Sequence, residues 1–152
     1  MEQTYKKILV GVDGSEHATE AFKKAVEVAR RNEGEVIVAA IIEQQIPMMV
    51  GTSSFGDSYV EEESKRANLL LDEYIAYGES VAFTAIKKVI VFGQAKSVLA
   101  IELPKEHQID LLMVGQSGLN AVEKMMVGSV ASYVIRKAPC DVLVIATPEE
   151  IE

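Results

Sequence analysis

The sequence predicts one doubly wound α/β domain, a five-stranded parallel sheet with helices on both faces. Three observations carry that expectation. Short apolar runs alternate along the whole chain with stretches of helical periodicity. Several runs are apolar on both faces, as strands covered by helices on each side must be. The chain has 152 residues, the size of a single domain. Strand–helix alternation of this kind gives parallel strands joined by right-handed crossovers.

Lys7–Val12 is the first strand, with Ile8, Leu9 and Val10 in a row before Gly11-Val12-Asp13-Gly14. Ser15 is placed to cap a helix on which Ala18, Ala21, Phe22, Ala25, Val28 and Ala29 recur at helical spacing. Gly34 is the expected left-handed stop. Val36–Ile42 is the second strand. Residues 44–59, with Pro47, Gly51 and Gly56, read as a loop, and Met48-Met49-Val50 make it a candidate lid over a ligand. Val60–Glu79 is the next helix, with Glu61-Glu62-Glu63 expected in its first turn. Thr84–Phe92 is a third strand, and Ala95–Leu103 a helix stopped or kinked at Pro104. Asp110–Val114, Gly128–Lys137 and Asp141–Ala146 give a fourth strand, a helix and a fifth strand. There is no repeat and no linker, so residues 1–152 form one domain.

Composition narrows the function. The formal charge is −8, with no basic cluster of the kind nucleic-acid binding needs. The longest apolar run, Val36–Ile42, falls far short of the ~18 residues that span a bilayer. There is no secretory signal, and the single cysteine, Cys140, cannot pair internally, so a reducing cytoplasm is expected. An acidic protein that binds an anion must hold it with local donors.

Ligands of open α/β sheets sit beyond the carboxyl ends of the strands, where the strand order reverses. Two strand ends carry unusual residues: Gly11-Val12-Asp13-Gly14-Ser15, and Gly115-Gln116-Ser117-Gly118 followed by Gly128-Ser129. A helix opening at Gly128 points free N–H groups and a positive dipole end at an anion. The set makes a plausible phosphate cradle. The P-loop pattern and G-x-G-x-x-G are both missing. Glu43, after the second strand, is either a ribose-binding acid or a solvated carboxylate. Cys140 reads as a packed structural thiol. His17 and His107 stand alone, and no dedicated metal motif occurs.

Gly115, Gly118, Gly128 and Ser129 match G-x2-G-x9-G-[S/T] at every spacing. With Lys7–Ser15 and Ala138–Ile145, they make the chain resemble the universal stress protein family in its nucleotide-binding branch. The resemblance implies an adenine nucleotide α-hydrolase-like fold and an ATP site, with AMP or ADP as other candidate ligands. In that site Val12 and Asp13 would meet the ribose or adenine, and Ile41 would line the adenine pocket and offer backbone hydrogen bonds. Gly115 would lie under the ribose; Gly118, Gly128, Ser129 and Val130 would wrap the phosphates. Mg²⁺ or Mn²⁺ is expected on the phosphates. Ser117 departs from the family's frequent Arg or His, with Lys124 a candidate substitute. The resemblance also implies a homodimer paired through Asp141–Ala146. These features predict an ATP-binding regulatory protein of the stress response. A slow ATPase, a nucleotide-free dimeric scaffold and a flavin or NAD carrier are the alternatives.

Overall fold

The computed structural model describes residues 4–43, 53–116 and 128–146, with residues 53–57 described in backbone only. Five strands form one sheet: β1 (Lys7–Gly11), β2 (Glu35–Ile42), β3 (Ile86–Phe92), β4 (Leu111–Gly115) and β5 (Asp141–Ile145). Their order is β3-β2-β1-β4-β5, and every pairing is parallel. The chain therefore steps outward from β1 to β3, crosses back, and resumes at β4 on the other side of β1. That reversal opens a crevice between the carboxyl ends of β1 and β4, as the alternating pattern anticipates.

Two apolar layers hold the sheet. On one face α1 (Glu16–Asn32) and α2 (Ser53–Ser80) cover Ile8, Val10, Val36, Val38 and Met113. Phe22, fully buried in this layer, contributes about 2–3 kcal/mol by leaving water. On the other face lie α3 (Ala95–Ser97), a π-helical turn (Val98–Glu102), α4 (Leu103–Glu106) and α5 (Ser129–Lys137). They cover Leu9, Ile37, Ala39, Leu112 and Val114. Alternate residues of each central strand thus enter opposite layers, which is why those strands read as unbroken apolar runs. Among the described residues, β3 and β5 are the edges of the sheet. On β3, Lys87 and Lys88 are exposed, and Lys88 pairs with Asp72 at 2.7 Å. On β5, Leu143 is 42% exposed, between the half-buried Val142 and Val144.

Several local expectations need correction. Helix α2 starts at Ser53, not Val60, so the expected 44–59 loop loses its last seven residues to the helix; 44–52 lie outside the described residues. Glu61–Glu63 therefore sit inside the helix, and its first turn carries no acid. Ser and Gly are weak helix formers, but each adds at most about 1 kcal/mol of cost, too little to halt propagation. The left-handed stop of α1 is Glu33 (φ 52°), whose N–H reaches the carbonyls of Ala29 and Arg30. Gly34 is needed for a different reason: a Cβ there would lie 2.7 Å from the carbonyl oxygens of Tyr5 and Lys6. Pro104 does not stop its helix. The π-helical turn precedes it, the Pro sits buried at the start of α4, and helix continues to Glu106. The widened turn accommodates the proline's missing N–H and bulky ring.

Candidate functional site

The first turn of α1 sits at the mouth of the crevice. Ser15 caps the helix as expected, its Oγ accepting from the Ala18 N–H at 3.3 Å. The Asp13 carboxylate accepts from the Ser15 N–H at 2.9 Å through Oδ1 and is exposed. Because the carboxylate is exposed, its other oxygen can accept from a ligand hydroxyl or amine. Gly14 has φ +84°, the left-handed region that favours glycine, and this sets the turn between strand and helix. Val12 is 6% exposed and belongs to the core; its N–H ends the sheet ladder by donating to the Ala39 carbonyl at 2.8 Å.

That ladder end decides what Ile41 can do. β1 pairs with β2 only as far as Gly11↔Ala39, whereas β2 pairs with β3 through Ile42↔Phe92. Main-chain groups of a strand turn to alternate sides. Glu35 and Ala39 bond towards β1, and Val36 and Ile42 bond towards β3. Ile41 therefore turns its N–H and C=O towards β1, past the point where β1 has ended. These two groups form an open hydrogen-bonding edge. The Ile41 side chain packs half-buried on the second layer.

Gly115 closes β4, opposite Ile145. A Cβ there would lie 2.7 Å from the His17 carbonyl oxygen. The space left by the missing side chain is filled by the first turn of α1, so packing between helix and strand already demands glycine here. His17 is the residue that sequence reasoning passed over as isolated. Its main chain rests on Gly115, and its Nε2 lies 3.1 Å from Ser15 Oγ, which ties the ends of β1 and β4 together.

Gly128 is the N-cap of α5, with an ordinary extended conformation (φ −60°, ψ 163°) and no side-chain cap bond. Its own N–H donates to the Gln116 carbonyl at 3.1 Å, which fixes the start of α5 beside the end of β4. The donors left for an anion are then the N–H groups of the first turn, at Ser129 and Val130. Ser129 is exposed, whereas the Val130 side chain packs on the second layer. Gly118, Ser117 and Lys124 lie outside the described residues.

Glu43 is an exposed carboxylate at the end of β2, as expected, and it also has a structural partner. Its Oε1 accepts from the Ala95 N–H at 2.9 Å and so caps α3, whose own N-cap residue Gln94 offers no side-chain bond. Cys140 is half-buried. Burial, with the carboxylates of Asp141 and Asp110, pushes its thiol pKa up, the direction of an inert thiol. No helix among the described residues is long and apolar enough to cross a membrane.

The chain resembles known proteins over nearly its whole length. It is 38% identical over 146 residues to a putative universal stress protein of Staphylococcus haemolyticus, covering 96% of this chain and 87% of that one. Its fold matches the universal stress protein UspA from Lactobacillus plantarum with a TM-score of 0.82 and 28% identity, covering 95% of this chain and 99% of the other. A universal stress protein solved in complex with cAMP matches with a TM-score of 0.68 and 26% identity, covering 94% and 98%. The model of the universal stress protein family matches residues 4–146. With its five-stranded parallel sheet and its glycine-rich strand ends, the chain belongs to the universal stress protein family.

Proposed function

We propose that this protein binds an adenine nucleotide, ATP in the first place, in the crevice between β1 and β4, and acts through it as a regulatory protein of the stress response. The observation that carries the reading is the convergence of three kinds of group at one reversal of strand order. Asp13 supplies a carboxylate, Ile41 an open N–H and C=O edge, and the first turn of α5 its uncapped N–H donors. Ile41 suits the hydrogen-bonding edge of a base, Asp13 the ribose or the amino group of adenine, and Ser129 and Val130 a phosphate. Val12 and Gly115 shape the crevice. Gly118 belongs to the same proposal through the motif spacing alone. The family member bound to cAMP supports an adenine ligand. Mg²⁺ or Mn²⁺ would accompany the phosphates. Among the described residues, no group of three or more His, Cys, Asp or Glu is placed to hold a metal.

The same reading includes a homodimer. Among the described residues β5 is the last strand of the sheet and carries an exposed Leu143, which suits antiparallel pairing with a second copy about a two-fold axis. The unpaired thiol of Cys140 suits a reducing compartment such as the cytoplasm.

Gly128→Asp tests the nucleotide site, because it separates folding from binding. The backbone there accepts any residue, and an aspartate is a better cap than glycine by a few tenths of a kcal/mol. The same carboxylate takes up the first-turn N–H groups and repels phosphate. The expected result is an unchanged or higher melting temperature, with ATP affinity lowered at least about tenfold, ~1.4 kcal/mol, by titration calorimetry. A folded variant that binds ATP like the wild type would overturn the assignment.

A further inference from the structure

On the α1–α2 face a cleft of about 150 Å³ opens between the two helices and reaches Gly14, in the turn beside the nucleotide crevice. Three of its eight lining residues are aromatic. Tyr74 and Tyr77 of α2 line it, with Phe22 of α1 set nearly edge-on behind them, at centroid distances of 4.9 and 6.0 Å and interplanar angles of 69° and 68°. Tyr74 is 5% exposed, and its hydroxyl lies 2.9 Å from Thr19 Oγ1, so its ring is fixed in place. The rim carries Glu73, which is exposed and makes no ion pair among the described residues. Lys23 also lines the cleft, with its ammonium 5.4 Å from the centre of the Tyr77 ring. Its salt bridge to Glu20 is long, at 3.9 Å, and its side chain is 42% exposed.

A tyrosine ring presents a negative face to a cation, and several rings with a nearby carboxylate form the cage used for alkylated ammonium groups. The Lys23 ammonium over Tyr77 shows that this ring face already attracts a cation from within the chain. Lys23 is tethered at the rim by a flexible stem, so a free cation of better fit can displace it. The volume is too small for a nucleotide or a drug-sized ligand, whose sites take roughly 300–1,000 Å³. It suits a compact head group. We propose that the α1–α2 cleft is a binding site for a small alkylated ammonium ion, held on the rings of Tyr74 and Tyr77 and neutralised by Glu73. This site adjoins the nucleotide crevice at Gly14, but its residues are its own and it does not depend on the nucleotide reading.

Tetramethylammonium is the probe, titrated into the full chain while the ring resonances of Tyr74 and Tyr77 are followed by NMR. Saturable shifts are expected, with a dissociation constant in the ~10 mM range. tert-Butanol, of similar shape but uncharged, should leave those resonances unsaturated over the same range. Tyr77→Leu keeps apolar bulk and should weaken binding about fivefold, and Glu73→Gln about threefold. Lys23→Met should tighten binding by about threefold, because it removes the internal competitor; a purely structural role for Lys23 predicts no gain. The proposal is overturned if tetramethylammonium gives no saturable shift, if tert-butanol matches it, or if Lys23→Met, folded by circular dichroism, weakens binding.

Discussion

Gly115→Ala is the most direct perturbation of the crevice. The new Cβ would lie 2.7 Å from the His17 carbonyl oxygen and 3.0 Å from both its carbonyl carbon and its Cβ. None of these three atoms is the end of a flexible side chain. β4 is hydrogen-bonded between β1 and β5, and the first turn of α1 is held by the Ser15 cap. Strand and helix must therefore move apart, an overpacking that costs about 1–3 kcal/mol. Gly11→Ala is the matched control. Its Cβ would lie 3.0 and 3.2 Å from the two Leu99 δ-methyls, the ends of a side chain that can shift, so its overpacking sits at the low end, about 1 kcal/mol. Both substitutions stiffen the unfolded chain equally, by about 0.4–1 kcal/mol, and that contribution cancels in the comparison. Gly115→Ala should thus be about 1–2 kcal/mol less stable than Gly11→Ala. For a chain of this size that lowers the melting temperature by roughly 2–8 °C. Calorimetric melts in one buffer measure the difference. Equal midpoints would refute the idea that α1 rests on β4 through this glycine.

Three further outcomes follow from the same geometry. Gly34→Ala should be at least as damaging as Gly115→Ala, by about 1–3 kcal/mol in urea denaturation, because its Cβ would meet only main-chain atoms of Tyr5 and Lys6. Cys140 keeps its proton more tightly when folded, so the stability this contributes is complete below the unfolded thiol pKa, about 8.5, and is lost as pH rises through the higher folded value. Between about pH 8 and 9 its alkylation by iodoacetamide should be slower in the native chain than in urea, and equal rates would contradict the assigned burial. Val144→Asp should convert a dimer at tens of micromolar to a monomer in light scattering, since a carboxylate on β5 opposes strand pairing; an unchanged mass would remove β5 from the interface.

The legible part of the sequence was the part governed by burial. Strands covered on both faces, such as Glu35–Ile42, leave apolar runs, and the alternation of elements leaves few topologies. Ser15 was legible because capping is local chemistry. The start of α2 was not, since Ser53–Tyr59 has a turn-like composition and only the length of the helix overrides it. The structural partners of Glu43 and His17, Ala95 and Gly115, were not legible because they are distant in sequence. No local pattern shows that a carboxylate will cap a helix from the neighbouring strand. The reason for Gly34 was hidden in the same way, in the carbonyls of Tyr5 and Lys6. Within the site, spacing pointed to the glycines and the start of α5. The family resemblance pointed to backbone hydrogen bonds at Ile41, and the register, with β2 outrunning β1, supplies the physical reason.

The two edges of the sheet differ in a way that bears on assembly size. β3 carries Lys87 and Lys88 on its exposed positions, so a second β3 brought alongside would set ammonium groups against one another. β5 lacks such a guard, with Leu143 open between Val142 and Val144. A two-fold contact through β5 uses the same edge of both copies, so it leaves only the lysine-bearing β3 at each end of the combined sheet. If two copies pair through β5 as proposed, sheet-edge growth would then have no next step, and association through the sheet would stop at two chains.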